Sequence, residues 1–401
     1  MKKFLASIIA VVLAVSGLSV ISITANAATI FISGNYEYTV NSDDTVNIAG
    51  YKGIATDITI PSQILNKNVV KISANSFYNN STLTSVKIPN TIKVVGSMAF
   101  HNCTKLSKVT LSSNLTKIGY NAFEGTTALT TITIPKTLTN SDYSIFRNSG
   151  LKTAIIENGA TAVPAALFSD ANNLTKVTIP NTVKKIGVSA FSNCTKLSSI
   201  TLPNTLTELG YNAFGGTTAL TAITIPKTVT TAGNNVFNGS ALKSAAIEKG
   251  ATAVADNLFC YAKNLTKVTI PNTVKKVGSM SFYGCKSLSS VTLPNTLTEI
   301  GYSAFNGTTA LTTITIPKTV TKAGSDVFED SGLKTATIEN GATTVADNLF
   351  SNAKNLTKVT IPNTVKKIGS MSFYGCTKLS SVTLPNTLTE IGYSAFNGTT
   401  A

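Results

Sequence analysis

The sequence predicts a repeat solenoid: a stack of short coils with a parallel β-sheet along one face and a small β cap at the N-terminal end. Three observations predict it. Every phenylalanine after Phe31 lies on one ruler, from Phe77 through Phe100, Phe123 and Phe146 to Phe396, in steps of 23 residues with 22 at every fourth step. Units this short cannot bury an apolar face alone and must stack on their neighbours, so fifteen such anchors mean about 15 coils. A longer period overlies the first. Cys103, Cys194, Cys285 and Cys376 are 91 residues apart, as are Glu157, Glu248 and Glu339, so four coils make one super-repeat. Finally, residues 36–60 alternate apolar and polar around turn-forming Asn41-Ser42-Asp43-Asp44 and Gly50-Tyr51-Lys52-Gly53, the pattern of short antiparallel strands.

One coil, starting at Leu174, justifies its elements in order. Leu174, Val177 and Ile179 follow the L-x-x-L-x-L spacing of leucine-rich repeats. Residues two apart share one face of a strand, so Val177 and Ile179 point inward and Lys176 and Thr178 outward. Pro180 cannot donate to a ladder and ends the strand; Asn181 and Thr182 supply turn chemistry. Val183 and Ile186 return to the core. Gly187 is expected in a tight or left-handed position that a side chain would block. Ala190 and Phe191 close the coil, with Phe191 its largest buried group. At about 4.8 Å per strand, the array is a rod on the order of 70 Å long.

The super-repeat has a definite defect. After Phe146, Phe237 and Phe328 the next leucine comes five residues on instead of six, and Glu157, Glu248 and Glu339 replace the strand-ending proline soon after. The near-identity of residues 173–262 and 264–353 marks recent tandem duplication.

Residues 1–27 read as a signal peptide: Lys2 and Lys3, an apolar run diluted by serines, then Ala25-Asn26-Ala27 as a cleavage site. Residues 28–65 form the cap and lead-in, and residues 66–401 the solenoid. No later stretch is apolar enough to span a membrane. Removing Lys2 and Lys3 lowers the formal charge of +15 by two, to +13, nearly all of it lysine, since Arg147 is the only arginine. The chain ends one residue before another leucine is due, so the array is expected to be truncated within a coil, with an anchor or further domain beyond. Leu202-Pro203-Asn204-Thr205 and its copies begin like a wall-sorting signal, but leucine follows where glycine is required and no apolar tail succeeds it.

The motifs L-x-x-V-x-I-P and I-G-x-x-A-F with a trailing Asn-Cys or Gly-Cys, together with the lead-in from Tyr36 to Tyr51, resemble the BspA-like bacterial leucine-rich repeats over residues 36–401. The resemblance implies a secreted or surface protein used in adhesion and recognition. It brings no catalytic residues.

The residues offer little chemistry. His101 is the only histidine and is expected on an exposed loop, since Ser192, Tyr283 and Tyr374 replace it in later coils. Four of the five cysteines are four coils apart, about 19 Å, beyond disulfide reach. They read as small buried groups, a position held by Thr126, Thr217 and Thr308 in neighbouring coils. Cys260 and Cys285, in adjacent coils, are the one pair that geometry leaves open. C-x-x-C spacing, calcium loops and phosphate-cradling glycine loops are missing, so neither an enzyme nor a cofactor is expected.

Two surface patterns remain. One is a ladder of outward threonines, including Thr178, Thr269 and Thr360, which is a good β-former and also a hydroxyl array suited to glycan. The other is the recurrence of Lys176, Lys184, Lys185 and Lys196 at Lys267, Lys275, Lys276 and Lys286 and at Lys358, Lys366, Lys367 and Lys378. Basic patches at about 19 Å intervals suit anionic polymers such as wall polymers, but the arginine forks and stacking aromatics of nucleic-acid binders are scarce. The expected function is recognition of host protein or glycan by the strand face, with Lys176, Thr178, Lys267, Thr269, Lys358 and Thr360 as contacts. The competing expectation is a passive stalk holding a further domain away from the cell wall. Oligomeric state is not legible.

Overall fold

The computed structural model describes residues 29–399. The expected signal segment lies outside them. Those residues form a succession of short strands and turns, with strands as the only regular elements.

The cap is antiparallel as expected. Phe31–Ser33 pairs with Tyr36–Val40, which pairs with Val46–Tyr51. Val46–Tyr51 then pairs in parallel with Lys67–Ile72, so the cap passes into the array without an edge between them. Tyr36 and Tyr51 plug its open end, their rings 5.1 Å apart, and Tyr51 lies 5.4 Å from Phe77.

Each coil contributes to three coil-to-coil ladders rather than a single sheet. The front ladder consists of the predicted strands, such as Lys176–Thr178 and Ala222–Ile225. A second parallel ladder of two-residue strands, such as Lys185–Ile186 and Glu208–Leu209, runs along another side. The third side is a rail of turns in which the phenylalanine and its flanking residues donate to the next coil: Phe191 N–H to Ala213 O, Ser189 N–H to Tyr211 O and Asn193 N–H to Gly215 O. The rail needs left-handed residues two before and two after each phenylalanine, such as Ser189 (φ 53°) and Asn193 (φ 59°). Asn tolerates this conformation better than most residues, and Asn or Gly fills it often here.

Gly187 is not left-handed. It ends the second ladder, where a Cβ would come within 2.5 Å of Ala165 N in the preceding coil. The tight position expected from sequence is therefore a close approach between coils.

The core is a column. From Phe77 to Phe373 the phenylalanines are at most 2% exposed. Successive rings stack with centroids 4.8 to 6.0 Å apart and planes within 24°. Beside them runs a small-residue row in which Cys194 Sγ donates to Phe168 O at 3.1 Å, while Thr217 and Ser240 hydroxyls donate to Phe214 O and Phe237 O at 2.7 Å.

The super-repeat shows itself as two kinds of break at successive coil interfaces. Between Lys108–Thr110 and Thr131–Ile134, between residues 199–202 and Ala222–Ile225, and between Ser290–Val291 and Thr313–Ile316, the front ladder has no pairing, while the other two ladders continue. One coil later the pattern reverses. Thr131–Ile134 and Thr153–Ile156 pair over four residues, but the second ladder stops and Phe146 N–H loses its place in the rail. Ser169 Oγ accepts the Ser144 N–H there instead. The 22-residue coil causes this second break, because a rail one residue short cannot keep register. The ring planes record it, tilted by 24°, 22° and 23° at Phe146–Phe168, Phe237–Phe259 and Phe328–Phe350.

Candidate recognition surface

The front ladder presents its outward residues to solvent because strand side chains alternate. Lys176, Thr178, Lys267, Thr269, Lys358 and Thr360 are all exposed there. They sit in strands of identical register: Lys176 beside Thr153, Lys267 beside Ser244, Lys358 beside Thr335. Being four coils apart, the three lysine–threonine pairs form separate stations about 19 Å apart rather than one cluster. None of the outward threonines Thr110, Thr178, Thr201, Thr224, Thr269 or Thr360 gives its hydroxyl to another protein group; all are exposed.

The lysine pattern divides between faces. Lys176 is on the front ladder, whereas Lys185, Lys276 and Lys367 lie on the second and pair with Glu208, Glu299 and Glu390 of the next coil at 2.8, 2.9 and 2.8 Å. Hydrogen bonding to Glu299 raises the Lys276 pKa. Lys196 Nζ donates to Asn173 Oδ1 at 2.8 Å. The basic pattern is thus divided among the front-ladder lysines, the neutralised pairs of the second ladder, and Lys184, Lys275 and Lys366, whose side chains carry no ion pair.

Glu157, Glu248 and Glu339 cap the coil before them. Each Oε2 accepts the backbone N–H of Lys136, Lys227 or Lys318, at 2.9 to 3.0 Å.

At the front-ladder breaks the face opens into clefts. The largest holds about 590 Å³ between residues 199–202 and Ala222–Ile225. Its copy four coils on holds about 480 Å³, and a smaller one beside Val109 about 220 Å³. Sequence reading missed these, although a signal was present. The strand's last inward residue is Ile in most coils but Leu111, Leu202, Leu293 and Leu384 at this position of each super-repeat. β-Branched isoleucine favours the strand, and leucine relaxes that preference.

His101 is not on an exposed loop. It stacks on Tyr78 with centroids 4.9 Å apart and planes 3° apart, and its Nδ1 lies 3.3 Å from Glu124 Oε2. Arg147 Nε reaches the other oxygen of Glu124 at 3.9 Å. The spacing 101, 124, 147 is one coil per step, a juxtaposition that was legible in the period. All five cysteines are buried free thiols, including Cys260 and Cys285. Burial pushes the Cys103 and Cys376 thiols up to about 12, and those of Cys194 and Cys285 higher. Among the described residues no group of metal-ligating side chains gathers, and no helix is long and apolar enough to cross a membrane.

The repeat pattern is matched by a family model. The BspA-type leucine-rich repeat region aligns with residues 54–175, 161–289 and 275–401. Among solved structures, the chain is similar to a leucine-rich cell surface protein of Faecalibacterium prausnitzii, 28% identical over 91% of this chain and 95% of that one, with a TM-score of 0.43. It is also similar to a leucine-rich repeat protein of Bacteroides ovatus, 25% identical over 92% of both chains, with a TM-score of 0.48. No curated protein matches it. Matched in overlapping blocks through nearly the whole coil array, the chain belongs to the BspA-type leucine-rich repeat proteins.

Proposed function

We propose that this is a non-enzymatic recognition protein, exported or held at the cell surface, that binds host extracellular protein or glycan through its front face. The observation that carries the reading is the contrast in side-chain employment. The hydroxyls of Thr182, Thr273 and Thr364 and the ammonium groups of Lys185, Lys276 and Lys367 are engaged by neighbouring coils, whereas those of Thr178, Thr269 and Thr360, with Lys176, Lys267 and Lys358 beside them, face solvent without such partners. Three equivalent stations favour a multivalent ligand, since linked weak sites gain avidity. Export is read from the N-terminal sequence, and family membership supports a surface setting.

The test is a pull-down of residues 28–401 against extracellular-matrix proteins and anionic glycans at low and physiological salt. Saturable binding that survives physiological salt and is lost on Lys176→Glu, Lys267→Glu and Lys358→Glu together is the expected result. Binding only to polyanions that fades with salt reduces the lysines to general electrostatics, as for a wall polymer. No binding leaves the stalk reading, which the near-copied blocks favour.

A further inference from the structure

We propose that the outermost cap strand, Phe31–Ser33, joins a second copy of this chain about a two-fold axis at Phe31, so that two arrays meet cap to cap. The inference does not depend on the front-face reading, though joined arrays would double the number of stations and so the avidity. The strand ends its sheet. It pairs with Tyr36–Val40 on one side, and among the described residues nothing pairs on the other. Unlike the internal breaks of the front ladder, it has no coil stacked beyond it.

The hairpin determines which main-chain groups are free. Gly34 (φ 54°) and Asn35 form a two-residue turn, closed by the pair Ser33 and Tyr36. Such a turn is closed by a hydrogen-bonded pair, and bonded and non-bonded pairs then alternate along the strands. Phe31 therefore bonds inward to Tyr38, while Ile32, and Ile30 in line before it, turn their N–H and C=O outward. The far side of Tyr36–Val40 agrees. Asn41 N–H donates to Thr45 O at 2.8 Å, which by the same alternation aims Tyr38 at Phe31.

A second copy suits this edge because the edge is complementary to itself. With the two-fold at Phe31, Ile30 of each copy faces Ile32 of the other, and each such pair exchanges two main-chain bonds, four in all. Phe31 meets its own counterpart in the closer, non-bonded pair. The side chains match as well. Ile30 and Ile32 are 58% and 73% exposed, and Phe31, stacked on Tyr38, is 43% exposed. The two-fold gathers four isoleucines on one face and two phenylalanines on the other.

Charge points the same way. Residues 29–33, Thr-Ile-Phe-Ile-Ser, carry no Lys, no carboxylate and no Pro, the residues that protect an edge from pairing. The carboxylate opposite Ile32, that of Glu37, is engaged by Lys52 at 3.6 Å. On a strongly basic chain that repels its copies elsewhere, this edge offers contact without repulsion.

The test is sedimentation velocity of residues 28–401, the chain left by the expected cleavage at Ala27. A strand contact this small implies a weak dimer, with a dissociation constant on the order of 10–100 µM. Ile32→Pro removes an outward N–H, and Ile30→Lys with Ile32→Lys sets like charges across the two-fold. Each should weaken the dimer at least tenfold and leave the thermal midpoint unchanged. Phe31→Cys should crosslink to its counterpart on mild oxidation, since the native thiols are buried. Ser33→Cys should not, because the two positions lie about 14 Å apart in this register. A monomer up to about 1 mM, a dimer untouched by the lysine variant, or crosslinking at Ser33 in place of Phe31 would overturn the proposal. If Ile32→Pro unfolds the cap, the lysine variant still decides. Lys176→Glu, Lys267→Glu and Lys358→Glu should leave the dimer intact, which separates this result from that of the matrix pull-down.

Discussion

Thr178 and Thr182 are four residues apart in one coil, and both recur in the next two super-repeats, as Thr269 with Thr273 and Thr360 with Thr364, yet they are employed in opposite ways. Thr182 Oγ1 donates to Ala160 O at 2.7 Å and accepts the Gly159 N–H at 3.1 Å, as Thr273 and Thr364 do in their own blocks. Thr178, Thr269 and Thr360 hold nothing. The same residue at the same period is a rivet on one side of the proline and a free hydroxyl on the other. Periodic recurrence therefore says nothing by itself about function. What separates the two rows is whether the neighbouring coil presents a carbonyl within reach.

The sharpest way to break the contrast is to remove a member of the inner column. Phe214→Ala takes a fully buried ring from between Phe191 and Phe237 and should cost about 3–5 kcal/mol in chemical denaturation. A loss below about 1 kcal/mol would mean that coils stack without the ring.

The buried thiols extend the contrast to pH. Their pKa values are raised in the folded chain, to about 12 for Cys103 and Cys376 from an ordinary 9.0. Unfolding above that ordinary value releases protons, so stability from the neutral thiols is complete below about pH 9 and falls as pH rises toward 12. Melting temperature against pH should drop over that window, and less steeply in the Cys103→Ala, Cys376→Ala variant. Iodoacetamide at pH 8 should leave both unlabelled until denaturant is added; prompt labelling would contradict their burial.

The two threonine rows are compared directly by Thr182→Val and Thr178→Val. The first strands a carbonyl and should cost about 1 kcal/mol; the second should be within about 0.5 kcal/mol of neutral. Equal costs would dissolve the distinction between rivet and free hydroxyl. Finally, Ser281 is buried with its Oγ unpartnered, where Ala190 and Ala213 occupy the same place in other coils. Ser281→Ala should raise stability by up to about 1 kcal/mol in the same denaturation assay. A decrease would point to a partner for the hydroxyl.

Much of this architecture was legible residue by residue. Phe77 and its successors fixed the coil length, Pro180 and its equivalents the strand ends, and the missing residue after Phe146 the position of the rail's break. Cys194 was readable as a small buried group from Thr217 in the neighbouring coil. The candidate contacts Lys176 and Thr178 were readable as outward from strand parity alone. The second ladder was not, because two residues such as Lys185 and Ile186 carry no period-two signal. Nor was the half-buried stacking of His101 on Tyr78, since its replacements Ser192 and Tyr283 resemble loop variation.

Sequence alone determined what depends on spacing along one chain: the number of coils, the identity of the column, and which strand residues face outward. Those follow because a repeat that cannot bury its apolar face alone has only stacking open to it. Tertiary structure decided what depends on the gap between chains of residues in adjacent coils. It determined that Thr182 is occupied and Thr178 free, that Lys185 is neutralised and Lys176 not, and that the front ladder opens beside Leu202. Hydrogen bonds and ion pairs change within a few tenths of an ångström, and the small shifts that set those gaps accumulate over several coils.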